Sequence, residues 1–177
     1  MLKLDWGDAQ IWMEIAEMLY LHNVKNSKEF PHKLTGYPRG NELNVSAVCA
    51  GYAFELIFKV LAKVGNNQPK SKHDSSAAYK HLAPEDKVRV DRIIVNHGWS
   101  NSTEFLEYLD KNFCHGDRKY WMRPPSGGKA KVVFNFGGRK GMDALKKLHK
   151  ELSELAIKRI NENQEVFEYW PGTDQHI

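Results

Sequence analysis

Apolar residues recur every three to four positions along most of the chain, and that spacing predicts helices. Ile11, Ile15, Met18 and Leu19 fall on one face of a helix expected over 8–22, with Asp8 as its N-cap and Glu14 and Glu17 off that face. The stretch 23–41 holds two prolines and two glycines and reads as a long loop. The strongest apolar stripe follows: Val45, Val48, Cys49, Ala53, Leu56, Ile57, Val60, Leu61 and Val64. It predicts a helix capped by Asn44 or Ser46 and stopped at Gly65. A short helix is expected over 74–82. Pro84 at a first helical position, with Glu85 and Asp86 behind it, starts another that reaches Asn96 and ends at Gly98. Ser102 or Thr103 caps the next, where Phe105, Leu106 and Leu109 recur.

Between 123 and 141 the pattern changes. A Pro-Pro break and two glycine pairs frame "KVVFNF", whose β-branched and aromatic residues suit a short extended or β-like flap near 130–137. A last long helix spans about 142–162, with Leu145, Leu148, Leu152, Leu155, Ala156 and Ile160 on its buried face and lysines outside. The aromatics of the tail are suited to docking back on the helices. The architecture expected is all-α: one domain over 1–177, a bundle of four to five main helices with one flap.

Composition narrows the class. A chain of 177 residues is long enough for one real core. The net charge of +4 permits a polyanionic partner without requiring one. Two cysteines, Cys49 and Cys114, are too few for a disulfide scaffold or a zinc cluster, and no residue spacing suits a metal site or implies a cofactor. Acidic residues interrupt the first apolar stretch, so it does not read as a secretory signal. No apolar run is read as long enough to span a membrane, so no membrane partner is expected and the expected location is cytoplasmic.

The stretch 45–122 carries a resemblance. A helix holds Gly51, Glu55 and Lys59 in an Ala-x-x-x-Glu-x-x-x-Lys-like pattern; a loop with Pro69 follows; His73-Asp74 then opens a short helix. Further on, "HGDRKYWM" offers Asp117, Arg118 and Tyr120. In order and spacing this resembles the HEPN superfamily of small helical domains, in its prokaryotic form. The resemblance implies a role in RNA biology and a homodimer. It implies either a non-catalytic module that binds single-stranded RNA or a protein partner such as a nucleotidyltransferase, in a stress, toxin–antitoxin or defence setting, or a metal-independent ribonuclease. The broad apolar stripe of the second helix also favours a dimer. Family nucleases carry Arg-x4–6-His at the start of a late core helix. No histidine follows Arg118 in that window, and the forward match is "RIIVNH", Arg92 to His97.

Individual residues admit a bland reading and a chemical one. Glu55 pairs with Lys59 at an exposed edge, or is buried against Arg118 or Tyr120, or is a catalytic carboxylate. Asp74 serves as an N-cap with His73 packed before it, a structural role. His115 and Arg118 share a helix face and are the first candidates for catalysis; Arg92 and His97 are the alternative. On a helix the latter two stand about 140° apart, so they converge only if the helix ends between them. Arg118, Lys119, Tyr120, Trp121, Arg123, Lys129 and Lys131 mix cations that meet phosphates with rings that stack on bases, the combination that single-stranded nucleic acid favours. A third reading is an interaction or structural module that binds no nucleic acid.

Overall fold

The computed structural model describes residues 2–29, 40–65, 75–112 and 141–163, and among them every regular element is helical. Among the described residues six helices follow in order: α1 (Leu2–Glu29), α2 (Gly40–Val64), α3 (Ser75–Lys80), α4 (Pro84–Asn96), α5 (Ser102–Asn112) and α6 (Met142–Glu162). The all-α expectation holds. The flap near 130–137 and the tail lie outside the described residues.

α2 is the axis of the fold and packs against α1, α3, α5 and α6. Phe54, Ile57, Phe58, Val60 and Leu61 are fully buried, and most of its apolar stripe is covered within one chain, with Val45 at its start 49% exposed. Excess apolar surface on α2 is therefore no argument for a dimer. The segment Val45–Val64 is, by length and composition, apolar enough to cross a membrane, which corrects the expectation that no run approaches that length. Here 78% of it is buried among the other helices.

α1 runs antiparallel to α2, as two contacts show. Lys63 Nζ lies 2.6 Å from Asp5 Oδ2, and Ser46 Oγ donates to the Ala16 carbonyl at 2.6 Å. α1 also runs antiparallel to α6. Trp6 Nε1 and Gln10 Nε2 donate to Ser153 Oγ at 2.8 and 2.6 Å, and Lys146 pairs with Glu17.

These ties correct the reading of α1. It starts at Leu2, ahead of the expected cap Asp8, because Asp5 and Trp6 gain partners on α2 and α6 only if the first turn is helical. Its buried residues are Ala9, Met13 and Ala16, whereas Ile11 and Met18 are exposed, at 54% and 62%. Side chains no longer than Cβ at Ala9 and Ala16, facing the alanine-rich α2, let the two helices approach closely. The polar ties on α6 then fix the rotation of α1 and leave Ile11, Met18 and Leu21 outward, while Ile15 and Leu19 still pack against the core. Ser46 is likewise no cap: α2 begins upstream of it, and its hydroxyl joins two helices.

α4 matches its expected bounds, with Pro84 at the first position and Gly98 at φ 85° after the end, where a glycine meets no Cβ penalty. Asn101, not Ser102 or Thr103, caps α5: its Oδ1 accepts from the Glu104 N–H at 2.9 Å, while Glu104 Oε2 accepts from the Ser100 N–H at 3.0 Å. An aromatic chain completes the core, with Phe54 edge-on to Phe105 at 5.2 Å and Phe105 on Trp99 at 5.0 Å.

Candidate functional site

α2 keeps Glu55 in the helix interior because positions 54, 57, 58 and 61 around it must face the core. The carboxylate is fully buried, and Lys59 Nζ, one turn on, meets Oε1 at 2.6 Å. The pairing is the one the spacing suggests, but the exposed-edge reading is corrected. The short reach of glutamate draws the lysine inward, leaving its side chain 17% exposed. Arg118 and Tyr120, the other partners considered for Glu55, lie outside the described residues.

Arg92 and His97 form no joint site. Arg92 is exposed on the outer face of α4, and it makes no ion pair among the described residues. His97 is the residue that closes α4: its N–H reaches the Ile93 and Ile94 carbonyls, both at 3.2 Å. Its ring turns toward α6, where Nε2 lies 3.0 Å from Glu151 Oε1. It lines a shallow cleft of about 400 Å³ with Tyr20 of α1 and Asp143 and Lys147 at the start of α6. Among the described residues that line it, the cleft offers one lysine against one carboxylate and no arginine.

The remaining sequence candidates lie outside the described residues: His73 and Asp74, His115 and Arg118, and the nucleic-acid set Lys119, Tyr120, Trp121, Arg123, Lys129 and Lys131. Of the lysines that border this set in sequence, Lys146 pairs with Glu17 and Lys150 lies 3.9 Å from Glu154, while Lys147 stands on the cleft. Among the described residues no group of three or more His, Cys, Asp or Glu side chains is placed to hold a metal ion.

Sequence reading missed three polar arrangements. Asp86 is fully buried in the first turn of α4 and is paired to Arg159 of α6. Burial pushes its carboxyl up, and the Arg159 guanidinium opposes that rise only in part. The Tyr79 hydroxyl donates to Asp91 Oδ1 and lies 3.2 Å from Ser102 Oγ, which joins α3, α4 and α5; burial first, then Asp91, pushes its phenol up to about 12. His149 stands in the α2–α6 interface, 5.4 Å edge-on to Phe54, and its Nε2 has no hydrogen-bond partner among the described residues. Burial pulls its ring down to about 4, against a weaker upward pull from the Ala53 backbone, so it is neutral at pH 7. The sequence signal for His149 is its place on the Leu145–Leu148–Leu152 stripe. Asp86 and Arg159 gave none, because both sit where exposed helix-end charges are common.

All three arrangements join helices, and none of their residues lines the cleft beside His97. Comparison of the chain with protein-family models, with curated proteins and with solved structures finds no match.

Proposed function

We propose that the chain is a non-catalytic helical module that binds single-stranded RNA in the cytoplasm, in a prokaryotic stress, toxin–antitoxin or defence setting. The non-catalytic part rests on the lack of a histidine in the family's window after Arg118, and the observation that supports it is the separation of the alternative pair, Arg92 and His97. Cleavage of RNA without metal needs a base on the 2′-hydroxyl and a cation on the phosphate, acting on one linkage. His97 instead faces Glu151, and Arg92 faces solvent from another side of the helix. The Glu55 and Asp86 carboxylates are fully buried and ion-paired, to Lys59 and Arg159. RNA as the ligand rests on the HEPN resemblance and on the sequence of cations and rings from Arg118 to Lys131.

Gel-shift and cleavage assays on one single-stranded RNA, in EDTA, test the proposal. Binding should fall steeply as salt rises, weaken in Arg118→Ala and Lys129→Ala, and leave the RNA intact. Cleavage in EDTA that is abolished by His97→Ala or His115→Ala overturns the non-catalytic reading. Absence of binding at low salt overturns RNA as the ligand and leaves a protein-interaction module.

A further inference from the structure

The outer face of α4 is left uncovered by the other described helices. Val88 is 59% exposed and Val95 47%, and Arg92 stands between them, exposed and with no ion pair among the described residues. Arg89 borders them on the side toward α6, for its Nη1 lies 3.8 Å from Asp86 Oδ1, and Asp86 is the carboxylate that Arg159 of α6 holds. Glu85 heads the same face, and it too is met by Arg159, at 3.5 Å. What the face still offers is two cations beside two valines. That pair of features fits an acidic segment with apolar or aromatic side chains. The sequence after α6 has that composition. Residues 164–177 hold Glu165, Glu168 and Asp174 and no lysine or arginine, and Val166, Phe167, Tyr169 and Trp170 alternate with the two glutamates.

The connection brings the two together. α4 and α6 are antiparallel, with Asp86 against Arg159 and His97 against Glu151, so α6 ends beside the first turn of α4. The chain leaves α6 at Asn163, one turn past Arg159. To reach Val95 it must return about 20 Å along the axis, at 1.5 Å per residue, and cross about 8–10 Å between neighbouring helices, about 22 Å in all. From Asn163 to Trp170 an extended chain spans about 23–25 Å. Around α4 from the α6 side the order is Arg89, Arg92, then the valines; along the chain it is Glu165, Glu168, then Tyr169 and Trp170. Charge selects this face over the outer face of α1. There Glu14 stands between the exposed Ile11 and Met18, with Asp8 one turn before Ile11, and both repel an acidic segment.

We infer that the segment Glu165–Trp170 folds back along the outer face of its own α4, with Glu168 paired to Arg92 and with Phe167 and Trp170 over Val88 and Val95. The covalent tether makes the contact intramolecular, at an effective concentration on the order of millimolar, so a small apolar patch and one or two ion pairs suffice to hold it. Docked, the segment neutralises the cations that α4 otherwise shows to solvent.

Trp170 reports the contact without any nucleic acid, so the test is independent of RNA binding. Its emission in the full chain is the difference between each protein and the same protein with Trp170→Phe. Acrylamide should quench that emission several-fold less in the wild type than in a free Glu165–Trp170 peptide. Arg92→Glu, Glu168→Arg and Val95→Ser should each raise quenching toward that of the peptide, and Arg92→Glu combined with Glu168→Arg should restore most of the shielding. Arg92 and Val95 are exposed, and circular dichroism checks that each variant is folded. Shielding should not change with protein concentration. A wild-type Trp170 as accessible as the peptide overturns the inference. So does shielding that survives every substitution, which places the segment elsewhere, or a double exchange as accessible as the singles. Shielding that grows with concentration also overturns it, because the segment then docks on another molecule.

Discussion

Arg159 Nε lies 2.9 Å from Asp86 Oδ1 and donates to Asp86 Oδ2 at 3.2 Å, so the last turn of α6 is ion-paired to the first turn of α4. The carboxylate is fully buried, and the arginine side chain is 15% exposed. Removing the arginine leaves a buried charge. Arg159→Leu should therefore destabilise by about 3 kcal/mol, the lower end for a broken buried pair. The low end applies because Arg89 stands 3.8 Å from Asp86 and the N-terminal N–H groups of α4 remain. The Asp86 carboxyl should rise further without its cation. A raised carboxyl favours folding at low pH and loses that contribution as pH rises through it, so the deficit of the variant should shrink on acidification. Urea melts at pH 7 and pH 4.5 measure both effects; an equal deficit at the two values counts against the pairing.

His149 gives the opposite pH dependence. Its folded value near 4 lies below the ordinary 6.5, so the folded state resists protonation. Its contribution is complete above pH 6.5 and is lost as pH falls toward 4, at about 1.4 kcal/mol per unit and on the order of 3 kcal/mol in all. His149→Leu keeps the apolar contact with Phe54 and removes the titration. Between pH 6.5 and 4 the variant should lose less stability than the wild type by that amount. Parallel curves would show that the ring is already solvated when folded.

The two faces of α1 make a third test. Ala16 is fully buried and Ile11 is 54% exposed, the reverse of what residue size suggests. Ala16→Leu should overpack the α1–α2 contact and destabilise by about 1–3 kcal/mol. Ile11→Ser, measured at low micromolar concentration, should change stability by less than about 0.5 kcal/mol. Thermal melts that rank the two the other way would return α1 to the orientation its larger residues imply.

α1 also shows where sequence reading stops. α4 was legible nearly to the residue because Pro84 and Gly98 act through local backbone geometry. α2 and α6 were legible because long stripes of large side chains admit one buried face. α1 has two competing faces, and the choice depends on Trp6, Gln10 and Glu17 finding partners more than a hundred residues away. Glu55–Lys59 was visible as an i,i+4 pair, but its burial was not, since burial depends on what the neighbouring helices cover. Asp86–Arg159 joins residues 73 positions apart, and no local pattern marks it. For Arg92 and His97 the helical angle was available from spacing; the turn of His97 toward Glu151 required α6 to be in place.

Glu55 separates a structural carboxylate from a working one. Its Oε1 meets Lys59 Nζ at 2.6 Å with the carboxylate fully buried, and α2 presents it to the interior. Glu55→Gln keeps the shape and some hydrogen bonding while removing the charge-assisted bond, a loss of about 1.5–3 kcal/mol. Lys59→Met removes the cation and leaves the carboxylate in place, which should destabilise by about 3 kcal/mol or more. The lysine variant should therefore be the less stable of the two. On the RNA-binding reading proposed above, both should bind single-stranded RNA with wild-type affinity at a temperature where they are folded, because the carboxylate is fully buried. The decisive comparison is Glu55→Gln in urea melts and in gel shifts. A variant of wild-type stability that no longer binds or cleaves RNA would make Glu55 part of the site and the buried ion pair incidental.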